Sequence, residues 1–236
     1  MSMQNLRQTL VIAMVSLVVM SSATVSVHAA GSGGGGGGMT SGPVESSRSL
    51  SPEERSMKAF RSGVKHRDKA LKAEAKAASA KTDKKREKAL AKAQKEYARA
   101  IKKQSEAMRL DPQNYKAANE LGFAFRKTGD YRKAIGAYNY ALDLNPKFHA
   151  ATEYRAEAFL ALGFLDHTRN AYMVLYRDDR ALANQLMERF DEWIREKNGS
   201  LSEAEAQFVT WIEERKRIAK MSSDLSLNNT RTWPSS

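Results

Sequence analysis

Residues 115–148 read YKAANELGFAFRKTGDYRKAIGAYNYALDLNPKF, and the placing of small and large residues in this stretch decides the architecture. Gly122, Ala134 and Ala141 are small where a helix must let a neighbour come close, while Leu121, Phe125 and Tyr138 stand nearby to fill the space on either side. At 3.6 residues per turn these positions describe two amphipathic helices. Gly129-Asp130 lies between them, the glycine ending the first helix, and Pro146 ends the second. The stretch therefore predicts two antiparallel helices with a seam narrow enough that only small side chains fit.

The same pattern recurs at a spacing of 34 residues. Adding 34 takes Gly122 to Ala156, Phe125 to Phe159, Gly129 to Gly163 and Tyr138 to Tyr172, while Leu121, Ala134 and Pro146 map to Arg155, Thr168 and Arg180. A looser second unit is expected over 149–182. Subtracting 34 finds Tyr97, Ala100, Ala107, Leu110 and Pro112 for a second helix, but Glu87, Lys88 and Lys95 do not suit a first one, so 81–114 reads as a degenerate unit. This set of positions resembles the tetratricopeptide repeat, with Ala118 where that pattern has an early tryptophan. The resemblance implies an all-α fold, a short solenoid of antiparallel helix pairs, and a non-enzymatic scaffold that holds a protein or peptide partner in its concave face. It places Lys116, Asn119, Phe123 and Arg126 in that groove, with Glu153 and Glu157 one unit later. A subset of the family clamps two carboxylates with lysine, arginine and asparagine at such positions; Glu153 and Glu157 contradict that pattern. The competing reading has Phe123 packed on a neighbouring helix and both glutamates simply solvated.

Both flanks of the array read as helical. Ser51-Pro52-Glu53-Glu54 offers an N-cap, a proline at the first helical position and a capping box, opening a basic Lys/Ala-rich helix over 51–80 whose apolar stripe is Met57, Phe60, Val64 and Leu71. After a break near Ser79–Asp83, Leu90, Tyr97, Ile101 and Met108 continue at helical spacing. Beyond the array, Leu182, Leu186, Phe190, Trp193 and Ile194 form one stripe, Asn198-Gly199 stops it, and Leu201, Ala204, Phe208, Trp211 and Ile212 form another. These make two helices over 183–221 that close the end of the stack, as a short solenoid needs. The polar residues 222–236 are expected to be a disordered tail.

The charge is concentrated. Residues 53–109 hold 19 basic and 8 acidic residues, whereas 110–236 hold 18 of each. The basic segment has three readings: a solvated helix, attachment to an anionic envelope surface, or binding to nucleic acid. The third is disfavoured, because Phe60 and Tyr97 are the only aromatics there. With no cysteine and four histidines far apart in sequence, no metal site, cofactor or catalytic residue is assigned. Residues 10–20 form an apolar run too short to span a bilayer, followed by small residues to Ala30, which reads as a cleaved export signal over 1–30. A glycine-rich tether follows over 31–50. The cysteine-free chain allows no lipid attachment through that residue, so a periplasmic or secreted location is expected, as in exported bacterial repeat proteins. An uncleaved anchor and a start at Met39 are the alternatives.

Overall fold

The computed structural model describes residues 50–228, and the export signal and most of the tether lie outside them. Among the described residues there are eight α-helices and no strand: α1 Pro52–Ala78, α2 Asp83–Leu110, α3 Tyr115–Lys127, α4 Tyr131–Leu144, α5 His149–Ala161, α6 Leu165–Asp178, α7 Arg180–Lys197 and α8 Glu203–Asn228. Each helix packs on the next, and α3, α5 and α7 also meet along one side. This is the all-α solenoid that the spacing predicted.

Local chemistry sets the helix ends. Ser51 accepts from the Glu54 amide while the Glu54 side chain takes the Ser51 amide, completing the capping box. Thr82, Asn114, Asp130 and Asp179 cap α2, α3, α4 and α7 through their side chains. Gly129 and Gly163 follow α3 and α5 at φ 85° and 73°, a left-handed geometry that costs glycine nothing.

Within α3 and α4 the seam is as tight as the sequence requires. Ala118, Ala134, Tyr138 and Ala141 are fully buried. A Cβ on Gly122 would lie 2.6 Å from the Tyr138 ring, so glycine there is a condition of the two helices meeting. One unit later Ala156 and Tyr172 occupy the same places, both buried, and Phe159 stacks on His167 at 4.9 Å.

The amino-terminal end departs from the expected register. No separate first helix precedes the matching half of α2; α2 is continuous, and α1 pairs with it instead. Gly63 packs against Gln104 as Gly122 packs against Tyr138, and Gln104 is Tyr138 minus 34. The two partners are 41 residues apart in the first hairpin (104 − 63) and 16 in the second (138 − 122), so the first contains 25 extra residues. Shared between two arms, these lengthen the hairpin by about 18 Å. The α1 seam is also not the stripe of large residues. Ser56, Ala59, Gly63, Ala70, Ala73 and Ala77 are buried, whereas Met57 and Leu71 stay exposed. Alanines win because they let two long helices lie close together over many turns.

At the other end Tyr172, Leu175, Leu186, Phe190, Phe208 and Ile212 form one core with Trp193 and Trp211 against it. The last helix runs to Asn228, past position 222 where the polar composition led to a tail being expected. Residues 229–236 lie outside the described part.

Candidate functional site

The first helices of successive pairs, α1, α3, α5 and α7, carry a ladder of ion pairs from one to the next. Arg67 of α1 meets Glu120 of α3 at 2.5 Å, Arg126 of α3 meets Glu157 of α5 at 2.5 Å, and Arg189 of α7 reaches the same Glu157 at 3.2 Å. Lys127 of α3 pairs with Glu74 of α1 at 2.8 Å. Exposed ion pairs contribute little, but the Arg126 and Glu157 side chains are only 13% and 11% exposed, and losing one partner would leave a buried charge.

The fold gathers five of the six groove candidates on this face and partly encloses them. Phe123 packs edge-on against Tyr154 at 5.5 Å and lies 6.3 Å from Tyr97, with the Arg126 guanidinium 5.3 Å from its ring. It is thus in part a packing residue, as the competing reading held. Asn119 and Glu153 are buried, against the idea that the glutamates are merely solvated, and Glu157 is shielded between two arginines. Lys116 stands exposed at the edge.

Among the described residues, Asn119 Oδ1, Glu120 Oε2, Glu153 Oε2 and, on the donor side, Arg126 Nε are buried on this face without a hydrogen bond. Burial pushes the Glu153 carboxyl up to about 8, and the Glu157 carboxylate one turn away adds to this. For Arg126 burial works against the charge, yet Glu157, Tyr138 and Glu153 together outweigh it and the guanidinium is held more firmly protonated than usual. The Tyr138 hydroxyl is pushed up by burial, with Arg126 beside it working the other way. The face is therefore polar and structured, with both donors and acceptors left unsatisfied. Tyr138, Tyr154 and Arg189 belong to it although groove spacing did not single them out. Tyr138 was assigned to the seam, and Arg189 lies in a helix read only as a cap.

The hairpin beyond the solenoid is a second distinct surface. Residues 69–95 hold ten basic and three acidic side chains. Of the acids, Glu74 is taken by Lys127 and Asp83 by Arg86. Lys76, Lys81, Lys85, Lys88 and Lys92 gather around the tip. Among the described residues no group of histidines and acids could hold a metal ion, and no helix is long and apolar enough to cross a membrane.

Residues 115–148 match the family model of the tetratricopeptide repeat. No curated protein matches the chain in sequence. The fold is an all-α solenoid of tetratricopeptide type, and such repeats serve in general as scaffolds for protein interaction.

Proposed function

We propose that the protein is a non-enzymatic scaffold of the cell envelope, exported by residues 1–30, that holds an extended segment of a protein partner against α3, α5 and α7. The observation that carries this reading is the group of buried polar atoms without a hydrogen-bond partner, Asn119 Oδ1 and Arg126 Nε with the neutral carboxyl of Glu153 in the same cluster, on a face braced by the Arg126–Glu157–Arg189 bridge. A face that only held helices together would gain more from apolar side chains than from this many buried charges. Unpaired donors and acceptors side by side suit an extended backbone, which brings both N–H and C=O groups.

The test is capture of envelope proteins by cross-linking at about 50 and 500 mM salt, where the Debye length falls to about 4 Å. Wild type is compared with Lys116→Glu/Glu153→Gln, which leaves the seam untouched. A partner that survives high salt and is lost from the double variant, with the thermal midpoint not lowered, supports the reading. Equal capture by both refutes it. Export is tested by fractionation: a shortened chain beginning near Ala30 or Gly31 outside the cytoplasm is expected, and soluble full-length protein in the cytoplasm would reject it.

The lysine-rich hairpin supports a second reading, in which the protruding tip attaches to an anionic surface such as lipid head groups or a charged polymer, each lysine adding about 1 kcal/mol. Replacing Lys76, Lys81, Lys85 and Lys88 with glutamine would then abolish a binding that salt also abolishes, and leave the salt-resistant partner in place.

A further inference from the structure

The first two junctions between successive helix pairs are built on the same register but filled differently. At the first, Tyr140 of α4 stands against the segment that follows α2, its hydroxyl donating to the Pro112 carbonyl at 3.0 Å and bridging the junction, with Leu121 on α3 in the same unit. Moving on by 34 puts Arg155 in place of Leu121, Val174 in place of Tyr140 and Thr152 in place of Ala118. Valine has neither the length nor the hydroxyl to make that bridge. The second junction instead has a cleft of about 500 Å³ between α4, α5 and α6, on residues the concave face does not use, a volume in the range of small-molecule sites.

Arg155 lines this cleft. Its Nη1 donates to Asn139 Oδ1 at 2.7 Å, while its Nε is buried with no hydrogen-bond partner. Arg67, Arg126, Arg169 and Arg189 each pair with a carboxylate; Arg155 meets none within 4 Å among the described residues. Its guanidinium lies 5.7 Å from the Phe159 ring, on which His167 stacks. Asp143, also on the cleft, is close enough to favour the charged form against the burial that opposes it. A guanidinium without a carboxylate partner beside an aromatic ring matches a planar anion with an apolar body.

We propose that the α4–α5–α6 cleft is a binding site for a small monocarboxylate, its charge taken by the Arg155 guanidinium and its apolar body lying against Phe159 and Val174. Asp143 sets the selectivity, since its charge repels a second anionic group on the ligand. The site is independent of the concave-face reading and stands or falls separately.

The experiment follows the arginine Nε–H signals of the full chain by NMR at a fixed ionic strength of about 150 mM. Benzoate, inorganic phosphate and benzylamine are titrated in turn. One side-chain signal, absent from Arg155→Leu, should shift saturably with benzoate in the millimolar range, respond more weakly to phosphate and not respond to benzylamine. Arg155→Leu installs the residue found at the preceding junction, and its thermal midpoint shows that it folds. Val174→Tyr keeps the arginine but restores the bridging side chain, and should weaken benzoate binding about tenfold or more. The proposal is overturned if no signal saturates below about 50 mM benzoate, if Val174→Tyr binds as well as wild type, or if phosphate binds more tightly than benzoate.

Discussion

Gly122→Ala adds one methyl group to the seam between α3 and α4, and its consequence can be worked out from the geometry. The new Cβ would sit 2.6, 2.7 and 2.9 Å from Cε1, Cδ1 and Cζ of Tyr138. Ordinary carbon contacts begin near 3.5 Å, so the ring must retreat by nearly 1 Å or the helices must part. The ring has little room, because Tyr138 is fully buried and sits 6.2 Å from Tyr154. Overpacking of this kind costs about 1–3 kcal/mol, whereas exchanging glycine for alanine inside a helix returns at most about 1 kcal/mol. The balance is a loss of about 1–2 kcal/mol, a fall of about 2–8 °C in the thermal midpoint. Gly136 supplies the internal control. It lies in α4 of the same unit, and a Cβ there would meet nothing within 4 Å. Gly136→Ala should therefore raise stability by about 0.5–1 kcal/mol. Urea unfolding of both variants, followed by circular dichroism, reads the difference. If Gly122→Ala is as stable as wild type or stabilised like Gly136→Ala, the seam is not where the register places it.

Glu153 makes stability depend on pH. Its native carboxyl is raised from 4.5 to about 8 by burial and by Glu157, so between these values the folded chain binds protons that the unfolded chain has released. Stability should fall as pH rises through that window, by up to about 1.4 kcal/mol per unit. Glu153→Gln should flatten the profile and be the more stable protein at pH 8; parallel profiles for the two would contradict the assignment. At the carboxyl-terminal end, Phe190 is fully buried, 5.3 Å from Phe208 and 6.0 Å from Tyr172. Phe190→Ala should cost about 3–5 kcal/mol, with hydrogen exchange in α8 accelerated before that in α3 and α4; uniform acceleration would show that α8 is not held mainly through this core.

The fold was legible wherever function asked nothing special of the chain. Gly122, Ala134 and Tyr138 announce a close helix pair because only one arrangement of small and large residues permits it, and the 34-residue period carries that pattern on to Ala156 and Tyr172. The first pair was obscured because 25 extra residues separate Gly63 from Gln104, which removes the fixed offset on which a period search relies. The α1 seam was misread for a related reason. Met57 and Leu71 draw the eye as hydrophobic residues, yet alanines form the contact, since a long hairpin gains more from closeness than from bulk. On the concave face, helical spacing brought Asn119, Phe123 and Arg126 to one side, and period arithmetic added Glu153 and Glu157. It could not show that Arg189 completes the bridge, because that contact joins the array to a helix outside the repeat.

The α1 seam has a further consequence for how this chain can change length. From Ser56 to Ala77 its buried residues fall at intervals of 3, 4, 7, 3 and 4, with His66 in the middle of the long step bonded to Glu96 at 2.6 Å. That is a heptad rhythm of three whole units, so the arm is graduated in steps of seven residues, about 10 Å each. Removing seven residues from each arm, in register, would shorten the reach and keep every remaining alanine against its neighbour. Removing a single residue would turn everything beyond it by about 100° and swing lysines into the seam. The hairpin therefore behaves as an adjustable spacer with fixed stops, whose span can be reset in packets while the solenoid beneath it stays the same.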